Sequence, residues 1–483
     1  MYENLLAKVP TDLWIGGEWQ KSSDQSRFDV IDPATENVIT SVASATVDDA
    51  MAAVDAAAAA AAGWAAKTPR QRGEILRKAF ELMLAQSERL AKLITLENGK
   101  TLADSRGEVA YAAEFFRWFA EEGVRNLGRM YHAPASGARV LVQHKPAGVA
   151  VLVTPWNFPA AMATRKIGPA LAAGCTVVLK PASETPLTML ALMPILEEAG
   201  VPKGVVNVVP SRRSGAVVSA MLHDMRVRVV SFTGSTEVGV KLLHEAADNV
   251  VRPAMELGGN APFLVFDDAD MDAAIEGAMI AKMRNQGEAC TAANRFYVHE
   301  KVHDAFADKL SARMAALKMG NGLDESVGLG PLVNADTRDK VQVLVDDAVA
   351  KGAKVITGGQ RPNGRGFFYP ATVLTHVPDS ARLLREEIFG PVAALQSFAT
   401  EDEAIARAND TEFGLAAYLY TGDMGRGLRV SEKLEYGMVG LNRGLISDPA
   451  APFGGVKQSG LGREGAHEGL MEFLETQYIS TNW

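Results

Sequence analysis

One cysteine and one glutamate have surroundings that suit covalent catalysis. Cys290 lies between small residues in NQGEACTAANR (285–295), directly after an amphipathic helical pattern. Glu256 lies in MELGGNAPF (255–263), beside a glycine pair and apolar residues that would raise the pKa of its carboxyl group. A thiolate can attack a carbonyl carbon, and a carboxylate can then activate the water that hydrolyses the thioester. The pair therefore indicates thioester chemistry.

The alternative for any free cysteine is a packing role, because free cysteines are among the most buried residue types. Cys175 fits that role, since it begins an apolar run rich in β-branched residues, CTVVLKP. We expect Cys175 in the core. Cys290 remains the candidate nucleophile.

Length, charge and cysteine content limit the class of protein. A chain of 483 residues predicts two or more domains. Its two cysteines show neither a disulfide framework nor a metal-ligand spacing, which favours a reducing compartment and no metal site. A formal net charge of -9 argues against general nucleic-acid binding. We expect small-molecule chemistry.

The N-terminal segment 1–19 carries acidic residues and lacks the basic start and apolar centre of a signal peptide. The alanine-rich stretch 52–66 is too short and too weakly apolar to span a bilayer. The sequence therefore predicts a cytoplasmic protein without a membrane partner.

Alternating patterns predict a parallel sheet. Residues 46–123 have a helical pattern, with Thr46 as its N-cap. Short apolar runs then alternate with helical segments such as 160–173 and 187–199, which is the βαβ rhythm of parallel sheets. A second αβ pattern follows residue 259, with a helix over 271–284.

Ligands of such sheets bind where strands end. Three runs end in polar or glycine-containing turns, at 156–157, 180–183 and 234–235, and we expect these turns to line one crevice. The run GSTEVG (234–239) opens a helix, so the amides of Gly234 and Ser235 could bind a phosphate or the nicotinamide end of a dinucleotide. The signal is weak, because a glycine turn is often only structural and GxGxxG is absent.

The C-terminal segment FLETQYISTNW (473–483) alternates apolar and polar residues, as an edge strand does. Edge strands at a chain end usually pair with a partner. We therefore predict a homo-oligomer.

Five motifs in order, TPWNFP, MELGGNAP, the GxxC of Cys290, EEIFGP and PFGGVKQSGLGREG, resemble the aldehyde dehydrogenase superfamily over essentially the whole chain. The resemblance implies an α/β fold with a doubly wound cofactor domain, an α/β catalytic domain and a small oligomerisation strand element, commonly assembled as homodimers or homotetramers. The implied division is a cofactor-binding domain from residues 1–125, 148–256 and 446–469, a catalytic domain from 257–445, and oligomerisation strands from 126–147 and 470–483.

The resemblance is closest to the succinate-semialdehyde dehydrogenases, through WNFPAAMATRKIGPALAAGCTVVLKPAS and the GLIS that precedes PFGG. It implies that Cys290 attacks the aldehyde, that the Asn157 amide and the Cys290 N–H hold the oxyanion, and that hydride transfer leaves a thioester. Glu256 would activate the hydrolytic water. The product would be succinate.

The same resemblance assigns cofactor contacts. Glu387 would bind the nicotinamide ribose, Lys180 the adenosine ribose, and Trp156 would line the site. Ser183 occupies the specificity position, where a serine leaves room for a 2′-phosphate that a carboxylate would repel. NADP is therefore favoured over NAD. Arg212 and Arg213 could add positive charge near that phosphate, or could be ordinary solvated turn residues.

Substrate selection is assigned to Arg165, Arg284 and Ser447. Arginines bind carboxylates through two hydrogen bonds, so this set would select a small anionic aldehyde. Glutarate semialdehyde or a sulfonated aldehyde would suit the same arginines. A catalytically silent structural or binding protein of the same fold is a further alternative, although intact Cys290 and Glu256 count against it.

Two residues depart from the family pattern. Glu288 replaces the usual glutamine two residues before the nucleophile. A carboxylate directed towards the thiol would raise the pKa of Cys290. We expect the Glu288 carboxylate to point away from the thiol. Ala292 stands where some family members have a second cysteine, so a disulfide switch at that place is unavailable.

Overall fold

The computed structural model of the protein describes residues 3–483; the first two residues of the N-terminal segment considered above lie outside that range. The strands are β1 (Leu13–Ile15), β2 (Glu18–Gln20), β3 (Arg27–Asp32), β4 (Asn37–Ala43), β5 (Arg129–His132), β6 (Arg139–Pro146), β7 (Val149–Val153), β8 (Thr176–Lys180), β9 (Val206–Val208), β10 (Val227–Thr233), β11 (Arg252–Glu256), β12 (Ala261–Val265), β13 (Ala293–His299), β14 (Lys354–Thr357), β15 (Thr372–Thr375), β16 (Val392–Phe398), β17 (Ala416–Tyr420), β18 (Met438–Leu441), β19 (Gly460–Leu461) and β20 (Leu474–Thr481). The helices are α1 (Glu3–Leu6), α2 (Val47–Ala65), α3 (Pro69–Ala85), α4 (Ser87–Asn98), α5 (Leu102–Glu122), α6 (Pro159–Ala173), α7 (Pro186–Ala199), α8 (Ser214–Leu222), α9 (Thr236–Asp248), α10 (Met271–Met283), α11 (His303–Ala315), α12 (Ala335–Ala350), α13 (Glu401–Asn409), α14 (Met424–Lys433) and α15 (Ala466–Met471).

The helical pattern over 46–123 forms four consecutive helices, α2 to α5. Thr46 caps α2 as predicted: its hydroxyl accepts a hydrogen bond from the Asp49 N–H, and the Asp49 carboxylate accepts one from the Thr46 N–H. Reciprocal capping of this kind satisfies two main-chain donors that the first helical turn leaves free.

The first large sheet has the strand order β19-β11-β10-β7-β8-β9-β1-β2, with β7 to β11 parallel. Helices α6 to α9 connect these five strands, and β7 and β8 are buried along their whole length. This confirms the predicted doubly wound sheet. The chain reverses its direction of growth between β7 and β10, and such a reversal opens a ligand crevice at the carboxyl ends of those strands.

The second large sheet has the order β14-β15-β16-β13-β12-β17-β18 and is parallel except for its edge strand β14. Three apolar cores cover it, one around Phe263 and Phe296, one around Leu264 and Phe398 and one around Leu374 and Val392. Cys290 lies just before β13, and Glu256 ends β11 of the first sheet. The candidate thiol and carboxylate therefore come from different sheets.

A third, antiparallel sheet has the order β20-β6-β5. Strand β20 pairs with β6 from Leu474 to Thr481 and lies at an edge among the described residues, as predicted for the C-terminal segment. Strands β3 and β4 form a separate hairpin. Across residues 3–483, no helix combines the length and apolarity that crossing a membrane requires.

Candidate active site

A cavity of about 220 Å³ lies where the two large sheets meet. It contains six residues that the sequence singled out: Trp156, Asn157, Gly234, Ser235, Cys290 and Glu387. The first two follow β7 and the next two follow β10, so they flank the reversal point of the first sheet. The second sheet contributes Cys290. The predicted crevice therefore exists, with the candidate nucleophile in its wall.

The turn that presents Cys290 is a strained piece of backbone. After α10, Asn285 and Gln286 adopt left-handed conformations with φ of 51° and 54°. Residues other than glycine rarely do so, and such strain persists where the surroundings hold it. The Asn285 amide donates to the main-chain oxygens of Asn157 (2.8 Å) and Glu288 (3.0 Å), which ties the turn to the first sheet.

The polypeptide around Gly259 packs directly against the nucleophile. A Cβ atom at Gly259 would lie 2.5 Å from the main-chain oxygen of Cys290, closer than real Cβ atoms approach oxygen. Only glycine fits there without displacement of the Cys290 turn. The glycine pair after Glu256 therefore sets how closely the carboxylate segment approaches the thiol.

Cys290 is half-buried. Burial raises the pKa of its thiol to about 12, although the Arg165 and Arg284 guanidinium groups favour the thiolate and lower that pKa. The thiol is therefore protonated at neutral pH, and its nucleophilic form requires removal of that proton. Cys175 is 1% exposed, which confirms the predicted core position, and burial raises its pKa to about 11.

Asn157 lies beside the nucleophile turn. Its side-chain amide donates to the Glu288 main-chain oxygen at 3.1 Å, and its own side-chain oxygen is buried without a hydrogen-bond partner among the described residues. Asn157 thus carries an amide group beside the Cys290 turn, and an amide N–H is the kind of donor that an oxyanion hole uses.

Glu256 is 3% exposed, and neither carboxyl oxygen has a hydrogen-bond partner among the residues described. Burial, followed by the negative charge of Glu464, raises the pKa of Glu256 well above its usual value, against the opposing effect of Arg165 and Lys166. A raised pKa makes a carboxylate a stronger base, which is what activation of water requires.

A buried charge cluster that the sequence analysis missed lies behind Glu256. Lys166 donates to Glu464 at 2.5 Å and to the Ser231 hydroxyl at 2.9 Å, and Arg165 also pairs with Glu464. Nothing in the spacing of 165–166 and 464 signals that they meet. The cluster places two positive charges near Glu256, and both stabilise its ionised form.

The three predicted substrate residues occupy different environments. Arg165 is 1% exposed, paired with Glu464 and stacked 4.2 Å from the Phe453 ring centre. Arg284 is half-buried over the Phe158 ring at 4.8 Å. Ser447 and Phe453 line a separate cavity. Because Arg165 packs over the Phe453 ring, Phe453 lies between Arg165 and that cavity.

Glu387 lines the cleft from the segment that precedes β16 of the second sheet. Its carboxylate accepts a hydrogen bond from the Gly259 N–H at 3.2 Å, and burial raises its pKa to about 7. Phe389, in a left-handed conformation, packs edge-to-face against Trp156 at 5.3 Å. Thr337 and Lys340 of α12 also line the cleft and had no sequence signal.

The predicted specificity position lies at the end of β8. Ser183 and Arg212 line one further cavity, whereas Arg213 is paired with Asp24 at 2.7 Å. Lys180 is 6% exposed, and burial lowers the pKa of its ammonium group to about 8. Lys180 and Arg212 thus supply donors at the carboxyl ends of β8 and β9. The Ser183 hydroxyl donates to the Glu184 carboxylate at 3.4 Å, and Arg213 points towards Asp24.

This donor set fits a dinucleotide. The Gly234 N–H donates to the Glu256 main-chain oxygen at 3.1 Å, and Ser235 caps α9, whose N-terminus is the end of a helix that suits an anion. Glu387 offers a buried carboxylate for ribose hydroxyls at one end, and Lys180 offers an ammonium group at the other. Among residues 3–483, His, Cys, Asp and Glu side chains form no group suited to a metal ion.

Glu288 is fully buried, and its carboxylate accepts a hydrogen bond from the Val333 N–H at 3.0 Å. Burial raises its pKa well above the usual value. The hydrogen bond from Val333 holds the carboxylate against the segment before α12, in agreement with the expectation that it is directed away from the thiol.

The aldehyde dehydrogenase family model matches residues 19–479, and this chain belongs to that family. It is 57% identical over 442 residues, 92% of this chain and 98% of the other, to a succinate-semialdehyde dehydrogenase of Paenarthrobacter nicotinovorans. It is 50% identical to a glutarate-semialdehyde dehydrogenase of Pseudomonas putida, over 96% of each chain. The crystal structure of an NADP-dependent enzyme of Escherichia coli superposes with a TM-score of 0.97 at 48% identity, over 99% of each chain.

Proposed function

We propose that this enzyme oxidises succinate semialdehyde to succinate with NADP as the electron acceptor. The observation that carries the substrate class is the pair of arginines on the segments that bear Asn157 and Cys290. Arg165 on α6 lies 4.2 Å from the Phe453 ring centre, and Arg284, just before the Cys290 turn, lies 4.8 Å from that of Phe158. Two cations on these segments favour an aldehyde with an anionic group at its far end. The relative from P. nicotinovorans bears the corresponding name.

The chain's own residues would act in two stages. Cys290, once deprotonated, attacks the aldehyde carbon while the Asn157 amide and the Cys290 N–H hold the oxygen, which gives a thiohemiacetal. Bound NADP would supply the hydride acceptor for this carbon, and loss of the hydride would leave a thioester on Cys290. Glu256 then removes a proton from water, the hydroxide attacks the thioester, and succinate leaves as the thiol re-forms.

NADP is favoured by the cavity that Ser183 shares with Arg212. A serine hydroxyl and a guanidinium group can both donate to a 2′-phosphate, whereas a carboxylate at position 183 would repel it. The E. coli structure of the same fold is that of an NADP-dependent enzyme.

Glutarate semialdehyde is the second candidate substrate. It carries the same terminal carboxylate on a chain one carbon longer, so the same arginines can bind it, and the P. putida relative acts on it by name. A sulfonated aldehyde fits the same charges. The three substrates differ in length and headgroup rather than in charge sign.

The test is steady-state formation of NADPH from succinate semialdehyde, glutarate semialdehyde and uncharged butanal. A kcat/KM for succinate semialdehyde far above that for butanal, lost in Arg284→Ala, is expected. Equal values for the charged and uncharged aldehydes would refute the substrate class and leave the dehydrogenase chemistry intact. Higher kcat/KM for glutarate semialdehyde would select the second candidate.

We further propose that the three-stranded sheet mediates a homodimer or homotetramer. Its strands and the adjoining chain expose Met130 (62%), Tyr478 (69%) and Trp483 (70%). Exposed apolar side chains beside an unpaired strand edge favour association. Tyr478→Lys should lower the mass measured by light scattering, and an unchanged mass would refute this interface.

Two free cysteines favour a reducing location, the cytoplasm.

A further inference from the structure

Tyr111 occupies an unusual position on α5. Its side-chain oxygen is buried and has no hydrogen-bond partner among the residues that the structure describes. The ring packs edge-to-face on Phe115 at 4.9 Å, and the Arg284 guanidinium lies 5.7 Å from the ring centre. Buried tyrosine hydroxyls usually find a partner, so an unpaired one marks a place where a ligand can supply it.

Two cations and one carboxylate act on this hydroxyl. Burial has the largest effect and raises the pKa of Tyr111, Arg165 and Arg284 favour its ionised form, and Glu464 opposes them, so the hydroxyl keeps its proton. A guanidinium group donates hydrogen bonds and cannot accept them. The Tyr111 oxygen can accept from an arginine, but its proton needs an acceptor that neither arginine provides.

The same two arginines connect Tyr111 to the segments that carry the reacting groups. Arg284 is the C-cap of α10, just before the Cys290 turn, and Arg165 lies on α6, the helix that follows Asn157. Phe158 beneath Arg284 and Phe453 beneath Arg165 provide apolar surface next to the two charges. An acceptor placed between the arginines would therefore lie at the far end of an aldehyde whose carbonyl carbon is at Cys290.

We propose that Tyr111 is a specificity-determining residue, whose hydroxyl donates a hydrogen bond to the remote carboxylate of the substrate between Arg165 and Arg284. This inference rests on the proposed function. A carboxylate has enough lone pairs to accept from both arginines and from Tyr111. An uncharged aldehyde leaves the Tyr111 proton unpaired, so the residue discriminates against such substrates as well as favouring the anionic one.

The experiment compares Tyr111→Phe with wild type and with Tyr369→Phe, a matched control that removes another buried hydroxyl without a hydrogen-bond partner, in the apolar core around Leu374 and Val392. The kinetic constants are measured for succinate semialdehyde and butanal with saturating NADP. The ratio of kcat/KM for the semialdehyde to that for butanal should fall about 10- to 100-fold in Tyr111→Phe, mainly through KM, as expected when a hydrogen bond to a charged group is lost.

A second measurement does not depend on turnover. Binding of succinate is detected through the rise in Tm that it causes. The rise should be smaller in Tyr111→Phe than in the control, while the ligand-free Tm is equal or higher because an unpaired buried hydroxyl has been removed. An unchanged specificity ratio and an unchanged Tm rise would overturn the role of Tyr111 and leave the proposed function standing. A wild-type enzyme without preference for the semialdehyde would overturn both.

Discussion

The ammonium nitrogen of Lys100 lies 2.6 Å from the main-chain oxygen of Asn157 and 2.6 Å from the Glu108 carboxylate, and both side chains are fully buried. The other oxygen of Glu108 accepts from the Ala160 N–H at 2.8 Å, at the start of α6. A buried ion pair thus holds both the Asn157 turn and the helix that follows it. Its position indicates that it fixes where the Asn157 amide points.

Lys100→Met should lower kcat by about 10- to 100-fold, because the loss of this anchor lets the candidate oxyanion donor move and a displacement of about 1 Å can have that effect. The dissociation constant of NADP should remain near the wild-type value. Stopped-flow acylation rates and NADP titration measure the two quantities. Lys92→Met, which removes an exposed lysine paired with Glu88, is the matched control.

Lys100→Met also leaves Glu108 without its cation, which can cost about 3–5 kcal/mol. The double variant Lys100→Met with Glu108→Gln removes that buried charge and should recover part of the lost stability without recovering kcat. Recovery of kcat together with Tm would show that the pair acts on stability alone.

Gly259→Ala should reduce kcat by about 100-fold, because the added Cβ, at 2.5 Å from the Cys290 oxygen, forces the nucleophile turn to move. Gly107→Ala on α5 is the control, since a Cβ there meets no atom within 4 Å. That variant should keep its activity and gain up to about 1 kcal/mol of stability from helix propensity. Equal activities of the two alanine variants would contradict the proposed packing.

Alkylation of Cys290 by iodoacetamide should accelerate about tenfold per pH unit between pH 7 and 9. The thiol pKa is raised to about 12, so the thiolate is a small fraction that grows as the pH rises towards that value. Mass spectrometry after timed quenching measures the rate. Cys175→Ala should retain this reaction and Cys290→Ala should lose it; a rate that is flat across this range would contradict the raised pKa.

Ser183→Glu should shift cofactor preference from NADP to NAD by at least about tenfold in the ratio of kcat/KM values, through repulsion of the 2′-phosphate. Arg212→Ala should weaken NADP binding more than NAD binding. Arg213→Ala, whose parent side chain pairs with Asp24, should change neither preference. Equal effects of the two arginine variants would contradict a selective role for Arg212.

Much of the site could be predicted from the sequence because its chemistry is local. Cys290 among small residues, Glu256 beside two glycines and the turns after β7 and β10 are short motifs, and strand periodicity places those turns at one edge of a parallel sheet. The Thr46 cap and the C-terminal edge strand are also local patterns. The domain boundaries at 125, 147, 256, 445 and 469 and the individual site roles stay predictions.

The residues that the sequence analysis missed act over long separations. Glu464 reaches Lys166 across 298 positions, and Lys100 reaches the Asn157 oxygen across 57. A lysine or glutamate is ordinarily a solvated surface residue, so sequence alone gives no sign that these are buried. Tyr111 is similar: helix periodicity places it on α5 but does not reveal the two arginines beside it.

The sequence by itself therefore determined the reactive groups, the parallel sheets and the crevice, since each depends on residue type and short-range periodicity. Tertiary structure alone decided which charges are buried together, which way Glu288 and Arg213 point, and how closely Gly259 approaches Cys290. Those features depend on packing between distant segments, and burial of charge is favourable only when that packing brings the opposite charges into contact.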